Sequence, residues 1–254
     1  MTIKEEYMDA ISNKQNYKLA DILIRNLVDN FDFKSISDLG TFLCDVDDLG
    51  VSVKLNSDDC QKLGKNLLIS SYYNHPDITN ALALQIACLE RDNDYQTIAN
   101  MTETAVNLNS DVVLNNIAYA NFKLNKLKKA FELQKKILKM NNSNDNIIFS
   151  YNLMLYDLFV NGYSSHHQIQ GFLNALINDD LFDYESAIVL AIFFDDYEFV
   201  EKHLDYFNKT FLYEDNIKKI INNYLSLQIK PKINEIANIL EPKTYYENNF
   251  YLTK

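Results

Sequence analysis

Asp179, Asp180 and Asp183 stand in the DDxxD spacing, and Asp195 and Asp196 add a second acidic pair a short way downstream. Carboxylates spaced in this way can hold magnesium ions, and through them a diphosphate, because small hard dications take oxygen ligands. That chemistry also needs a second metal-binding motif and cationic contacts to the diphosphate. No Asn/Asp-Ser/Thr-Glu pattern supplies the former, and the two arginines, Arg25 and Arg91, lie far upstream. The acids fall instead between expected helices, where an aspartate caps the helix that follows by accepting its first-turn N–H groups. A metal-dependent helical enzyme using these aspartates is therefore a remote alternative.

Other candidate chemistry is thinner. Asp45-Val-Asp-Asp-Leu-Gly50 begins like a calcium loop, but Leu49 stands where an oxygen ligand belongs and Asn56 where a bidentate glutamate is needed, so the segment reads as a helix end. His75, His166, His167 and His203 include no pair at the i, i+4 spacing of a helical zinc site. Cys44, Cys60 and Cys88 also lack metal-ligand spacing, and each lies on a mainly apolar helical stripe, which predicts buried reduced thiols. No nucleophile elbow, phosphate-binding glycine loop or dinucleotide fingerprint occurs. The reading is of a chain that is not an enzyme and takes no cofactor and no metal.

Composition points the same way. The formal charge of −11 opposes a phosphate backbone, so nucleic acid is excluded as a partner, while a basic protein or peptide is compatible. No apolar run approaches the about 20 residues that span a bilayer, and the first residues carry two acids and no apolar run. The expectation is an acidic cytoplasmic protein with no membrane partner.

The elements follow from a period. Tyr95, Tyr163 and Tyr197 each follow a short polar break, Leu127 holds the equivalent place, and the successive spacings are 32, 36 and 34 residues. Helical hairpins of that length cannot bury their own apolar face and must stack on their neighbours. Only 5 glycines and 3 prolines punctuate the chain, so long helices with short connections are expected and the class is all-α. Apolar positions at three- and four-residue spacing give about fourteen helices in about seven antiparallel pairs. Residues 1–75 hold irregular hairpins: 3–13 with 17–31, then 35–49 with 57–73, the latter pair containing Gly40, Gly50 and Gly64. An extended connection at 51–55 lies inside it. Residues 76–240 are more regular: 76–91 with 95–108, 111–124 with 127–140, 145–160 with 164–177, 184–194 with 197–208, and 214–227 with 231–240. Pro231 is placed in the first turn of the last helix, and 241–254 is a tail, either laid over the last pair or disordered.

The segment 111–142 resembles a tetratricopeptide repeat through Leu114, Ile117, Ala118 and Ala120 on its first helix, Leu127 at the turn, the close-approach Ala130, and Ile137 and Leu138 beyond. It departs from the family at Leu114, Asn125 and Asn142, where a tryptophan, a glycine and a proline are usual. The close-approach position holds Ile98, His166 and Val200 in neighbouring units. The resemblance implies a right-handed α-α superhelix over 76–240 whose first helices line a concave groove. It places Asn116 and Asn152 at matching positions, where asparagines can hold the main chain of an extended peptide, with Asn115, Tyr119, Phe122, Lys123, Tyr151, Leu155, Phe159 and Phe193 around them as partner-binding residues. An amide suits this task because it donates and accepts at once. The expected function is non-catalytic binding of a protein or peptide by an adaptor or scaffold. The alternatives are an inhibitory binder, such as the immunity protein of a bacterial toxin, and a peptide-sensing regulator resembling the quorum-sensing receptors of low-GC bacteria.

Overall fold

A computed structural model describes residues 9, 22, 25, 33–45, 56–141, 147–162, 166–177, 183–210 and 215–244. Among these residues every regular element is a helix, so the chain is all-α. The expected pair 3–13 with 17–31, the connection 51–55 and most of the final segment lie outside them. The chain divides into two compact units, Met1–Ala120 and Asn121–Lys254.

The first unit contains α1 (Phe33–Cys44), α2 (Ser57–Asn74), α3 (Ile78–Ala87), α4 (Tyr95–Asn100), α5 (Thr102–Leu108) and most of α6 (Asp111–Lys123). Helix α2 starts on Asn56, which accepts from the Asp59 N–H at 2.8 Å, and its first turn carries Asp58 and Asp59 toward the positive end of the helix dipole. Helices α1 and α2 touch backbone to backbone. A Cβ on Gly64 would lie 2.5 Å from the Gly40 carbonyl oxygen, and one on Gly40 would lie 2.9 Å from that of Gly64. The glycines that make this stretch look irregular in sequence are what lets the two helices approach.

Residues Asn80 to Ala87 of α3 are all buried, as expected for a helix apolar on every side that packs against both α2 and α1. Helix α3 continues into a wide π turn at Cys88–Asp92 and stops at the left-handed Asn93, φ 51°. The single helix expected at 95–108 is two. Helix α4 ends at Met101, whose fully buried side chain anchors the break, and the Thr102 hydroxyl donates to the Ala99 carbonyl at 2.6 Å before α5 begins.

The second unit holds the end of α6 with α7 (Leu127–Asn141), α8 (Ile147–Asn161), α9 (His166–Ile177), α10 (Tyr184–Phe193), α11 (Tyr197–Thr210), α12 (Asp215–Leu227) and α13 (Ile233–Ile236). Helix α10 is its centre: Ser186 to Ile192 are all buried, and it packs on α9, α11 and α12. Around it Tyr151, Leu155, Leu158, Leu173, Leu176 and Val200 form one core.

The turns repeat a single chemistry. After α6 the Lys126 N–H donates to the Asn121 carbonyl at 2.8 Å across the left-handed Asn125, and after α10 the Asp196 N–H donates to the Ala191 carbonyl at 2.8 Å across the left-handed Asp195. This is the hydrogen-bond pattern that closes a helix with one residue of positive φ. Asn93, Asn125 and Asp195 each stand two residues before the turn residue Tyr95, Leu127 or Tyr197.

The last expected helix is corrected. Its 231–240 span shrinks to Ile233–Ile236, and Pro231 lies outside it, because the chain is still extended at Lys232 (ψ 156°), the residue that caps α13. The Lys232 N–H donates to the Glu235 carboxylate at 2.7 Å.

Candidate functional site

Helix α6, helix α8 and the cap of α10 each bring one side chain to the segment 241–244. Asn152 is fully buried on α8. Its Nδ2 donates to the Lys243 carbonyl at 2.7 Å, and its Oδ1 accepts from the Lys243 N–H at 2.7 Å. One residue offers its N–H and C=O to the same side when its backbone is extended, as in a hydrogen-bonded pair of antiparallel strands. Pro242 favours that conformation, because it fixes its own φ and pushes Glu241 before it out of the helical region. Leu240 and Pro242 are buried while Glu241 is exposed, the alternation of an extended chain lying on a surface.

Charges flank this central pair of hydrogen bonds. Lys123, at the end of α6, pairs with the Glu241 carboxylate. Lys243 pairs with Asp183, the residue that opens α10. Asp183 also caps that helix, accepting from the Ser186 N–H at 3.0 Å and the Ser186 hydroxyl at 2.8 Å. Each lysine is about a quarter exposed. Beneath the segment the buried Tyr151 phenol has its pKa pushed well up, first by burial and then by the nearby charges of Asp183 and Glu241. Of the expected tail 241–254, residues 241–244 are described and have polar partners on α6, on α8 and at the cap of α10, while 245–254 lie outside the described residues.

The other expected binding residues divide. In the first unit Asn115 and Asn116 are fully buried, and Asn116 Nδ2 donates to Gln85 Oε1 at 3.0 Å, while Gln85 in turn donates to the Val113 carbonyl at 3.0 Å. Tyr119 stands edge-on to Tyr95 with ring centres 6.0 Å apart. In the second unit Tyr151 and Leu155 are core residues, and the partly buried Phe122 packs against Tyr156 and Phe159 at 5.7 and 5.6 Å. Phe193 meets Phe194 edge-on at 5.1 Å. Of the ten residues, Lys123 and Asn152 hold the 241–244 segment through polar contacts. Asp183, Glu241 and Lys243 were not among the ten. Their sequence signal is an acid, a proline and a lysine directly after a buried leucine.

The acids of the DDxxD spacing are used structurally where they are described. Asp183 caps α10, Asp196 caps α11 by accepting from the Phe199 N–H at 3.1 Å, and Asp195 accepts from the Tyr224 hydroxyl at 3.0 Å and pairs with Lys230 at 2.9 Å. Asp179 and Asp180 lie outside the described residues. Among those residues no group of three metal-ligating side chains comes together, and no helix is long and apolar enough to cross a membrane. Cys44, Cys60 and Cys88 are buried thiols outside any disulfide, and burial pushes the Cys88 thiol up to about 12. Compared with family models, with curated proteins and with solved structures, the chain matches none.

Proposed function

We propose that this chain is a non-catalytic binding protein, built of tetratricopeptide-like helical hairpins, that holds an extended peptide across the first helices of consecutive hairpins in its second unit. The observation that carries the reading is the Asn152 amide, which takes both the N–H and the C=O of one residue of an extended segment. A side chain that satisfies main-chain groups binds whatever side chains the peptide carries, while neighbouring charges set the register. The packing of α10 on both α11 and α12 supports the hairpin stacking that the 32- to 36-residue period implies.

The test is selection of short linear peptides from a displayed library on the full chain, followed by affinity measurement on Asn152→Ala. Enriched peptides should lose most of their affinity for the variant while its far-ultraviolet circular dichroism stays unchanged. Failure to enrich any peptide on both the full chain and its Glu241→Lys variant, whose own 241–244 segment is held less firmly, or equal affinity with and without Asn152, refutes the proposal.

A further inference from the structure

The binding surface is already occupied, and its occupant states the specificity. Resting on the peptide-binding reading above, we infer that Lys123, Asn152 and Asp183 select an extended segment with a carboxylate two residues before a lysine, and that residues 241–243 are the chain's own resident copy of it.

The spacing follows from geometry. In an extended chain residues i and i+2 project to the same side, about 6.6 Å apart, with the intervening side chain directed the other way. Glu241 and Lys243 reach Lys123 and Asp183 on either side of the Asn152 amide, and the intervening Pro242 is buried. The order of charges is fixed as well. The acid must meet the end of α6 and the lysine the start of α10, so the reversed sequence Lys-Pro-Glu would set Lys against Lys123 and Glu against Asp183. Like charges at both ends discriminate against a wrong ligand more strongly than the matched pairs favour the right one.

A resident copy sets a threshold for outside ligands. A segment tethered by its own chain competes at an effective concentration on the order of 1 mM. An external peptide of the same pattern therefore binds the intact protein only by exceeding that competition, and binds freely once the segment is released.

The experiment uses a fluorescein-labelled synthetic peptide copying residues 238–246, its charge-reversed counterpart in which the Glu and Lys are exchanged, and anisotropy titration against full-length proteins. In the double variant Glu241→Lys/Lys243→Glu the resident segment carries the wrong charges and competes less strongly for the site. The copy peptide should bind this variant at least about tenfold more tightly than it binds the unmodified chain, and about tenfold more tightly than the reversed peptide binds it, the second ratio shrinking in high salt. Lys123→Glu, added to the double variant, should weaken the copy peptide and favour one carrying Lys at the first charged position. This change of preference requires direct contact, and a purely structural Lys123 would not produce it.

If both peptides bind the double variant equally and Asn152→Ala abolishes both, the charge-reading inference is overturned and the peptide-binding function stands. If neither peptide binds while library peptides bind in an Asn152-dependent way, the inference is again overturned alone. If nothing binds through Asn152, both fall. Should Lys123→Glu fold poorly by circular dichroism, Lys123→Gln replaces it, with loss of preference for the copy peptide as the expected result.

Discussion

Replacing Asn152 by leucine keeps the side-chain volume and removes both hydrogen bonds to Lys243, which makes it a clean probe of the docked segment. Each neutral hydrogen bond contributes about 1 kcal/mol net, so the pair accounts for about 2 kcal/mol, or about 30-fold in the docking equilibrium. The loss could be larger if the Lys243 N–H and C=O stayed buried without partners, at about 1–3 kcal/mol for each. The segment escapes that penalty by lifting off, because Glu241 is exposed and Lys243 only half-buried, so the smaller figure applies. Burial of Leu240 and Pro242 opposes complete release but is the same in both proteins. Amide hydrogen exchange resolved by NMR reads this directly. Protection of the Lys243 amide should fall about 30-fold in Asn152→Leu, while amides in the middle of α8 keep theirs, because Tyr151, Leu155 and Leu158 hold that helix in the core. Unchanged Lys243 protection, or an equal fall along α8, refutes the argument that Asn152 acts by holding this main chain.

Gly64→Ala should destabilise the protein by about 1–3 kcal/mol, since its Cβ would meet the Gly40 carbonyl at 2.5 Å, and an unchanged thermal midpoint would show that α1 and α2 separate freely. Lys65 bonds Asp92 and Asp94 at 2.6 Å each. Burial raises the Asp94 pKa, but the hydrogen bonds from Lys65 and Thr97 more than reverse this and bring it to about 2, below its ordinary 3.8. A depressed carboxylate pKa stabilises the fold above the unfolded value, and that stability disappears as pH falls from about 4 toward 2. Lys65→Met should therefore lower the melting temperature at pH 7 and flatten its decline over that acid range; identical pH profiles would contradict the linkage. The buried Cys44, Cys60 and Cys88 should resist a water-soluble thiol reagent at pH 8 in the native protein and all react in denaturant, and rapid labelling of Cys88 in the native state would contradict a thiol held at about 12.

Much of the fold was legible because turn chemistry is local. The breaks before Tyr95, Leu127 and Tyr197 are short and polar, and each holds a residue that the left-handed backbone tolerates: Asn93, Asn125 or Asp195. The capping roles of Asp183 and Asp196 follow from their place just ahead of apolar runs. Lengths were less legible: the expected helix 231–240 fails after one turn, because the extended Lys232 delays its start and Leu240 leaves the helix to enter the core. The break at Met101 was also hidden, since a buried methionine carries no helix-stop signal. In the candidate site, Asn152 was visible as an amide in a position expected to bind a main chain, but its occupant lies 91 residues away and no local pattern connects them.

The sequence alone determined the helical class, the turns before Tyr95, Leu127 and Tyr197, the acidic caps and the burial of the cysteines, because the signals for all of these lie within a few residues. Tertiary structure alone decided that Gly40 and Gly64 are a contact between helices, that Asn116 is spent on Gln85 within the first unit, and that Asn152 holds Lys243. These outcomes depend on which distant groups arrive at hydrogen-bond or van der Waals distance once the helices pack, and two asparagines that the sequence reading treated alike are given different partners by that packing.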